Sequence, residues 1–126
     1  MTTWRKQTGD AVYTVDEITA RLAEELPAWY FEDGWIRRAY KTDGWHTTLM
    51  LVNTIGYLAE AAYHHPDLSV TWARITVKLS THSAGGITEK DFALARKIED
   101  VVLWRPEAGG ALEGTPNKWV RGGDPR

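Results

Sequence analysis

Residues 29–40 read Trp-Tyr-Phe-Glu-Asp-Gly-Trp-Ile-Arg-Arg-Ala-Tyr, and this stretch commits the chain to a sheet. Two aromatic-rich segments flank Asp33-Gly34. Asp-Gly between such segments signals a tight hairpin, because glycine adopts positive φ without steric cost. Strands are predicted over 28–32 and 35–41. Upstream, Thr14-Val15-Asp16-Glu17 has the Ser/Thr-x-x-Glu form of a capping box, and Ile18, Leu22 and Leu26 follow at helical spacing. That predicts a helix over 15–26, stopped by Pro27.

Downstream, Asp43 is a candidate cap for a long helix whose stripe is Trp45, Leu49, Val52, Ile55, Gly56, Ala59 and Ala62. The helix must end before Pro66, since proline disfavours helical geometry at the residue before it. As the longest helix, it is expected to be the best covered. Val70, Trp72, Ile75, Val77 and Leu79 alternate with polar residues, giving a strand pair or one bent strand over 68–81. Ala84-Gly85-Gly86 breaks it. Thr88-Glu89-Lys90-Asp91 opens a third helix, with Phe92, Ala95, Ile98 and Val102 on its buried side, to about Leu103. The order α-β-β-α-β-β-α predicts an α+β two-layer sandwich, a four-stranded antiparallel sheet with three helices on one face. Residues 1–13 read as a polar N-terminal segment, 14–103 as the domain, and 104–126 as a Gly/Pro-rich tail without a core element. Within the tail, Trp119 and Val120 are the residues able to dock on the body or a neighbouring subunit.

The bulk numbers narrow the function classes. The chain has 126 residues, 43 % hydrophobic and 25 % charged, which suits one globular domain. A net charge of −2 does not suggest a general nucleic-acid or membrane-surface binder. No cysteine is present, so disulfides, thiol catalysis and cysteine metal sites are excluded. The N-terminal residues do not read as a secretory signal and no apolar run could span a bilayer, so the expectation is a cytoplasmic protein.

The chemistry-bearing residues are the histidines. His64 and His65 end the long helix before Pro66, and His82 ends the β stretch before Ala84-Gly85-Gly86. Sequential elements tend to be neighbours in space, so three imidazoles are expected at one sheet edge. A histidine in the last turn of a helix is also favoured by the macrodipole alone, and His82 alone reads equally well as an ordinary loop residue. Asp91 fits the third position after the Thr88 cap, and Glu60 fits a surface helix partner. Adjacent helical residues diverge by about 100°, which places His64 and His65 poorly for chelation, and no metal site is expected. His46 receives no role. No nucleophile elbow or nucleotide loop is present. Histidines titrating near neutral pH suit paired acid–base chemistry, such as elimination of water.

The ordered set Glu60, Tyr63-His64-His65-Pro66, Trp72, Ser80-Thr81-His82 and Asp91 resembles the signature of the pterin-4a-carbinolamine dehydratases, also called 4a-hydroxytetrahydrobiopterin dehydratases. The similarity extends over about 14–103 and leaves the tail unexplained. Trp45 stands where many members carry phenylalanine, and Tyr63 stands where another residue is common. The resemblance implies a hydro-lyase that dehydrates a 4a-hydroxytetrahydropterin to the quinonoid dihydropterin in tetrahydrobiopterin recycling, needing no metal or organic cofactor. It implies His64 and His82 as the acid–base pair and His65 as the residue that orients the pterin. Tyr63, Ser80, Thr81 and Ser83 would complete the substrate pocket, with Glu60, Asp91 and Trp29 in support. It further implies a homo-oligomer, dimer or tetramer, coupled to an aromatic amino-acid hydroxylase, with no nucleic-acid or membrane partner. Some relatives serve as assembly chaperones or transcriptional coregulators, which makes an interaction module the alternative reading.

Overall fold

The computed structural model describes residues 11–116 and 120–121. The first helix, α1 (Val15–Glu25), starts at the Thr14–Glu17 capping box, with Thr14 N donating to Glu17 Oε1 at 2.8 Å. Strands β1 (Tyr30–Glu32) and β2 (Trp35–Thr42) form the expected hairpin, and both turn residues, Asp33 and Gly34, take positive φ. Helix α2 (Trp45–Ala62) follows, then β3 (Asp67–Thr71) and β4 (Arg74–Leu79), so the second β stretch is a strand pair rather than one bent strand. A 3-10 turn at His82–Ala84 leads into α3 (Glu89–Val102). The antiparallel sheet runs β1-β2-β4-β3.

Alternation along β2 and β4 separates the two faces of the sheet. Ile36, Arg38, Tyr40, Ile75, Val77 and Leu79 are fully buried on the helix-covered face. Ile18 and Leu22 of α1, Ile55 and Ala59 of α2, and Phe92, Ala95 and Ile98 of α3 close the core over them.

Several details differ from the sequence reading. The N-cap of α2 is Gly44, and Asp43 instead accepts a hydrogen bond from the Thr47 hydroxyl at 2.9 Å. The buried stripe of α2 is Thr48, Leu51, Ile55 and Ala59, leaving Trp45 46 % and Leu49 39 % exposed. The helix is apolar nearly all round, so periodicity alone could not select its inner face. Tyr13, at the end of the presumed polar lead-in, is buried and its N–H donates to Ile87 O at 2.9 Å. The tail does contribute a core element. Val120 is buried, and β5 (Val120–Arg121) pairs with the end of β2, on the edge of that strand away from β4. Trp119 lies outside the described residues.

Candidate active site

The site is built where α2 ends, β4 ends and α3 begins. Tyr63 terminates α2 in the left-handed conformation, φ 52°, which lets the His64 N–H donate back to Ala59 O at 3.1 Å. This reversal swings His64 toward the first turn of α3. There His64 Nε2 meets Asp91 Oδ1 at 2.7 Å. The other oxygen of Asp91, Oδ2, accepts from the Thr81 hydroxyl at 2.8 Å and from Thr88 N at 2.9 Å.

Asp91 is fully buried, so both of its oxygens must be satisfied by protein groups, and they are. The proton count closes as well. Thr81 Oγ1 spends its hydrogen on Asp91, so across the 2.8 Å contact between the two hydroxyls Thr88 donates and Thr81 accepts. Thr88 Oγ1 in turn accepts from Lys90 N at 3.2 Å. Asp91 thus performs two jobs that the sequence offered as separate readings. It closes the capping box of α3, and it holds an imidazole.

His82 follows Thr81 directly, at the start of the 3-10 turn. The network through Asp91 therefore ties His64 to the residue that precedes His82. The His82 ring packs edge-to-face on Trp35, with centroids 5.3 Å apart and planes at 79°. Above Trp35 lies the Lys78 ammonium, 4.8 Å from the ring centroid. Ser80 is half-buried and Ser83 exposed on either side of the Thr81-His82 pair.

His65 behaves differently. Its ring is exposed, bonds Glu60 Oε1 at 2.8 Å, and packs edge-to-face on Tyr63 at 5.6 Å. Glu60 therefore partners His65 rather than His64. Trp29 is not brought to the histidines. Its Nε1 donates to Glu99 Oε1 at 3.0 Å, about 12 Å along α3 from Asp91 at 1.5 Å per residue. Glu99 also receives the fully buried Arg38 at 3.0 and 3.1 Å and the Tyr40 hydroxyl at 2.6 Å. Burial pushes the Glu99 carboxyl up, but the hydrogen bonds from Arg38, Tyr40 and Trp29 outweigh it, and its net pKa lies below the usual value. Burial, then the Glu99 charge, drive the Tyr40 phenol well above its usual range. This cluster ties the sheet to α3 and leaves the Asp91 end of the helix to the site.

His64 also lines an open groove of about 830 Å³ between α2 and α3. Sequence reading missed Trp35, Thr88 and this groove. Thr88 was visible only as a cap, and Trp35 only as a hairpin aromatic. Among the described residues no group of three or more His, Cys, Asp or Glu could hold a metal ion, and no helix is long and apolar enough to cross a membrane.

The described geometry can be set beside known proteins. The family model for pterin 4 alpha carbinolamine dehydratase matches residues 11–101. A proposed pterin-4-alpha-carbinolamine dehydratase of Aquifex aeolicus is 46 % identical over 87 residues, covering 69 % of this chain and 88 % of that protein. A like-named protein of a Mycobacterium species is 41 % identical over 92 residues, covering 73 % and 97 %. The crystal structure of a transcriptional coactivator/pterin dehydratase from Brucella melitensis superposes with a TM-score of 0.67 at 29 % identity, covering 73 % of this chain and 99 % of that one. These matches span the body that carries His64, His82 and Asp91, and the chain belongs to the pterin 4 alpha carbinolamine dehydratase family.

Proposed function

We propose that this chain is a hydro-lyase that removes water from a 4a-hydroxytetrahydropterin by histidine general acid–base catalysis. The C4a–O bond breaks and the oxygen leaves as water after receiving a proton. The N5–H proton is taken by a base, and its electron pair forms the C4a=N5 bond of the quinonoid dihydropterin. The change is redox-neutral and calls for no electron acceptor, metal or organic cofactor. The single observation that supports this reading is the Asp91–His64 pair, anchored to Thr81, the residue that precedes His82.

A carboxylate only accepts hydrogen bonds, so Asp91 holds the proton of His64 on Nε2 and leaves Nδ1 as the basic nitrogen. His64 is then the base at N5, and His82, steadied by Trp35, the acid at the 4a-oxygen. His65, exposed beside Tyr63, binds and orients the pterin, with Ser80 and Ser83 contributing at its edge; Thr81, buried with its hydroxyl held between Asp91 and Thr88, supports the pocket from behind. In the cell the activity would serve tetrahydrobiopterin recycling in the cytoplasm, beside an aromatic amino-acid hydroxylase, with the chain as a dimer or tetramer. The test is the dehydration rate of a 4a-hydroxytetrahydropterin. Wild type should accelerate it, and His82→Ala should lose about 10²–10⁴-fold. No acceleration over buffer by wild type refutes the proposal.

A second reading, an interaction module on the same fold, is favoured by the Brucella relative's being named a transcriptional coactivator as well as a pterin dehydratase, and by the exposed Trp45, Met50 and Tyr57 on α2. It predicts partner capture that survives Ala at both His64 and His82.

A further inference from the structure

The cavity at His64 is larger than a bicyclic ring requires. At about 830 Å³ it lies in the upper part of the range that encloses whole drug-sized ligands. Its shape follows from two facing helical stripes. Lys90, Ala93, Leu94, Lys97 and Val101 recur on α3 at i, i+3, i+4, i+7 and i+11, and Leu58, Ala61 and Ala62 face them from α2. Alanines on both walls stop short of one another and leave the groove open.

Its chemistry is of two kinds. The walls are apolar, and among the described residues the charged side chains lining it, His64 apart, are Lys90 and Lys97, with no carboxylate beside them. Two turns separate these lysines, about 10 Å along the helix axis. Lys90 sits at the His64 end, one residue before Asp91, and Lys97 sits further along the groove.

We propose that this groove is a subsite for the substituent at C6 of the pterin, and that the preferred substrate carries there an apolar, aromatic segment ending in one or more carboxylates. The inference rests on the dehydratase reading and deepens it by naming the substrate class. With the pterin ring at His64 and His82, the apolar segment lies over Ala61, Ala62, Ala93 and Leu94. The terminal carboxylate reaches Lys97. The single sign of the lining and its continuity with His64 select this occupant over an uncharged helix from a partner.

Two 4a-hydroxytetrahydropterins decide it, one with a methyl group at C6 and one with a 4-aminobenzoylglutamate group carried on a methylene. Burying an aromatic segment predicts a KM about tenfold lower for the second. Lys97→Glu should lower the ratio of the two kcat/KM values about three- to fivefold or more. Ala93→Trp, a substitution at an exposed position that fills the groove, should lower it as well. Calorimetric binding of the two corresponding stable oxidised pterins should show the same preference independently of turnover. Equal KM and equal affinity for the two ligands in wild type overturns the subsite while leaving the dehydratase reading standing. Variants that change the sedimenting species without moving the ratio overturn it in favour of an interface between copies. Loss of turnover of both pterins in wild type, with the binding preference retained, refutes the dehydratase reading and keeps the subsite.

Discussion

Asp91→Asn is the sharpest perturbation of the site, because the two side chains are nearly isosteric and differ in what they can donate. Asp91 presents two acceptor oxygens, one to His64 and one to the paired donors Thr81 and Thr88. Asparagine has one oxygen and one NH2. Keeping the oxygen toward Thr81 and Thr88 preserves two hydrogen bonds, whereas the reverse rotamer preserves one at most, so the amide nitrogen turns to His64. Nε2 must then accept, the ring proton moves to Nδ1, and the nitrogen needed as a base is occupied. Loss of a hydrogen bond to a charged group is worth about 1.5–3 kcal/mol, or about 10–150-fold in rate at 1.36 kcal/mol per decade. The tautomer change adds to it, so kcat should fall by about 10²-fold or more. Folding should suffer less, by about 1–2 kcal/mol, since the cap geometry survives and only a carboxylate near a helix N-terminus is lost. Stopped-flow dehydration gives the rate, urea denaturation the stability, and nitrogen-15 chemical shifts of His64 the tautomer. A variant with wild-type kcat, or one whose His64 still carries its proton on Nε2, would refute the reasoning.

Three further outcomes follow from the same geometry. Tyr63→Gly should raise Tm by about 2–5 °C in calorimetry, since an L-residue in the left-handed region costs about 1–2 kcal/mol, more than the added entropy of glycine, and Tyr63 is 83 % exposed with little burial to lose; a lower Tm would contradict this. Glu99→Gln should destabilise by about 3–5 kcal/mol at neutral pH by leaving Arg38 buried without its counter-charge. Because the folded pKa of Glu99 lies below the unfolded value near 4.3, its contribution is fully present above that value and is lost as pH falls through the folded one. Urea titrations should therefore show the wild-type advantage shrinking below about pH 4, and a gap that is constant with pH would count against it. Trp35→Ala frees the His82 ring from an edge-to-face pair worth about 0.5–1.5 kcal/mol, so kcat should drop about 2–10-fold, with recovery in Trp35→Phe; equal losses in both variants would show that ring packing is not what matters.

What the sequence determined alone was local. The capping boxes at Thr14 and Thr88 and the Asp-Gly turn depend only on neighbours within a few residues, and each formed where its residues stand. Alternation along β2 and β4 likewise separated the buried face from the open one. The spacing from Glu60 to Asp91 was enough to mark the family. The tertiary structure decided everything that depends on which partner a side chain meets. It gave Glu60 to His65 and Asp91 to His64, and it drew Trp29 away to Glu99. It chose the inner face of α2, which is too uniformly apolar to carry a readable stripe. It also laid Val120 of the tail beside β2. Periodicity reports the faces of one element, whereas a hydrogen bond between residues 27 positions apart exists only once α2, β4 and α3 have packed.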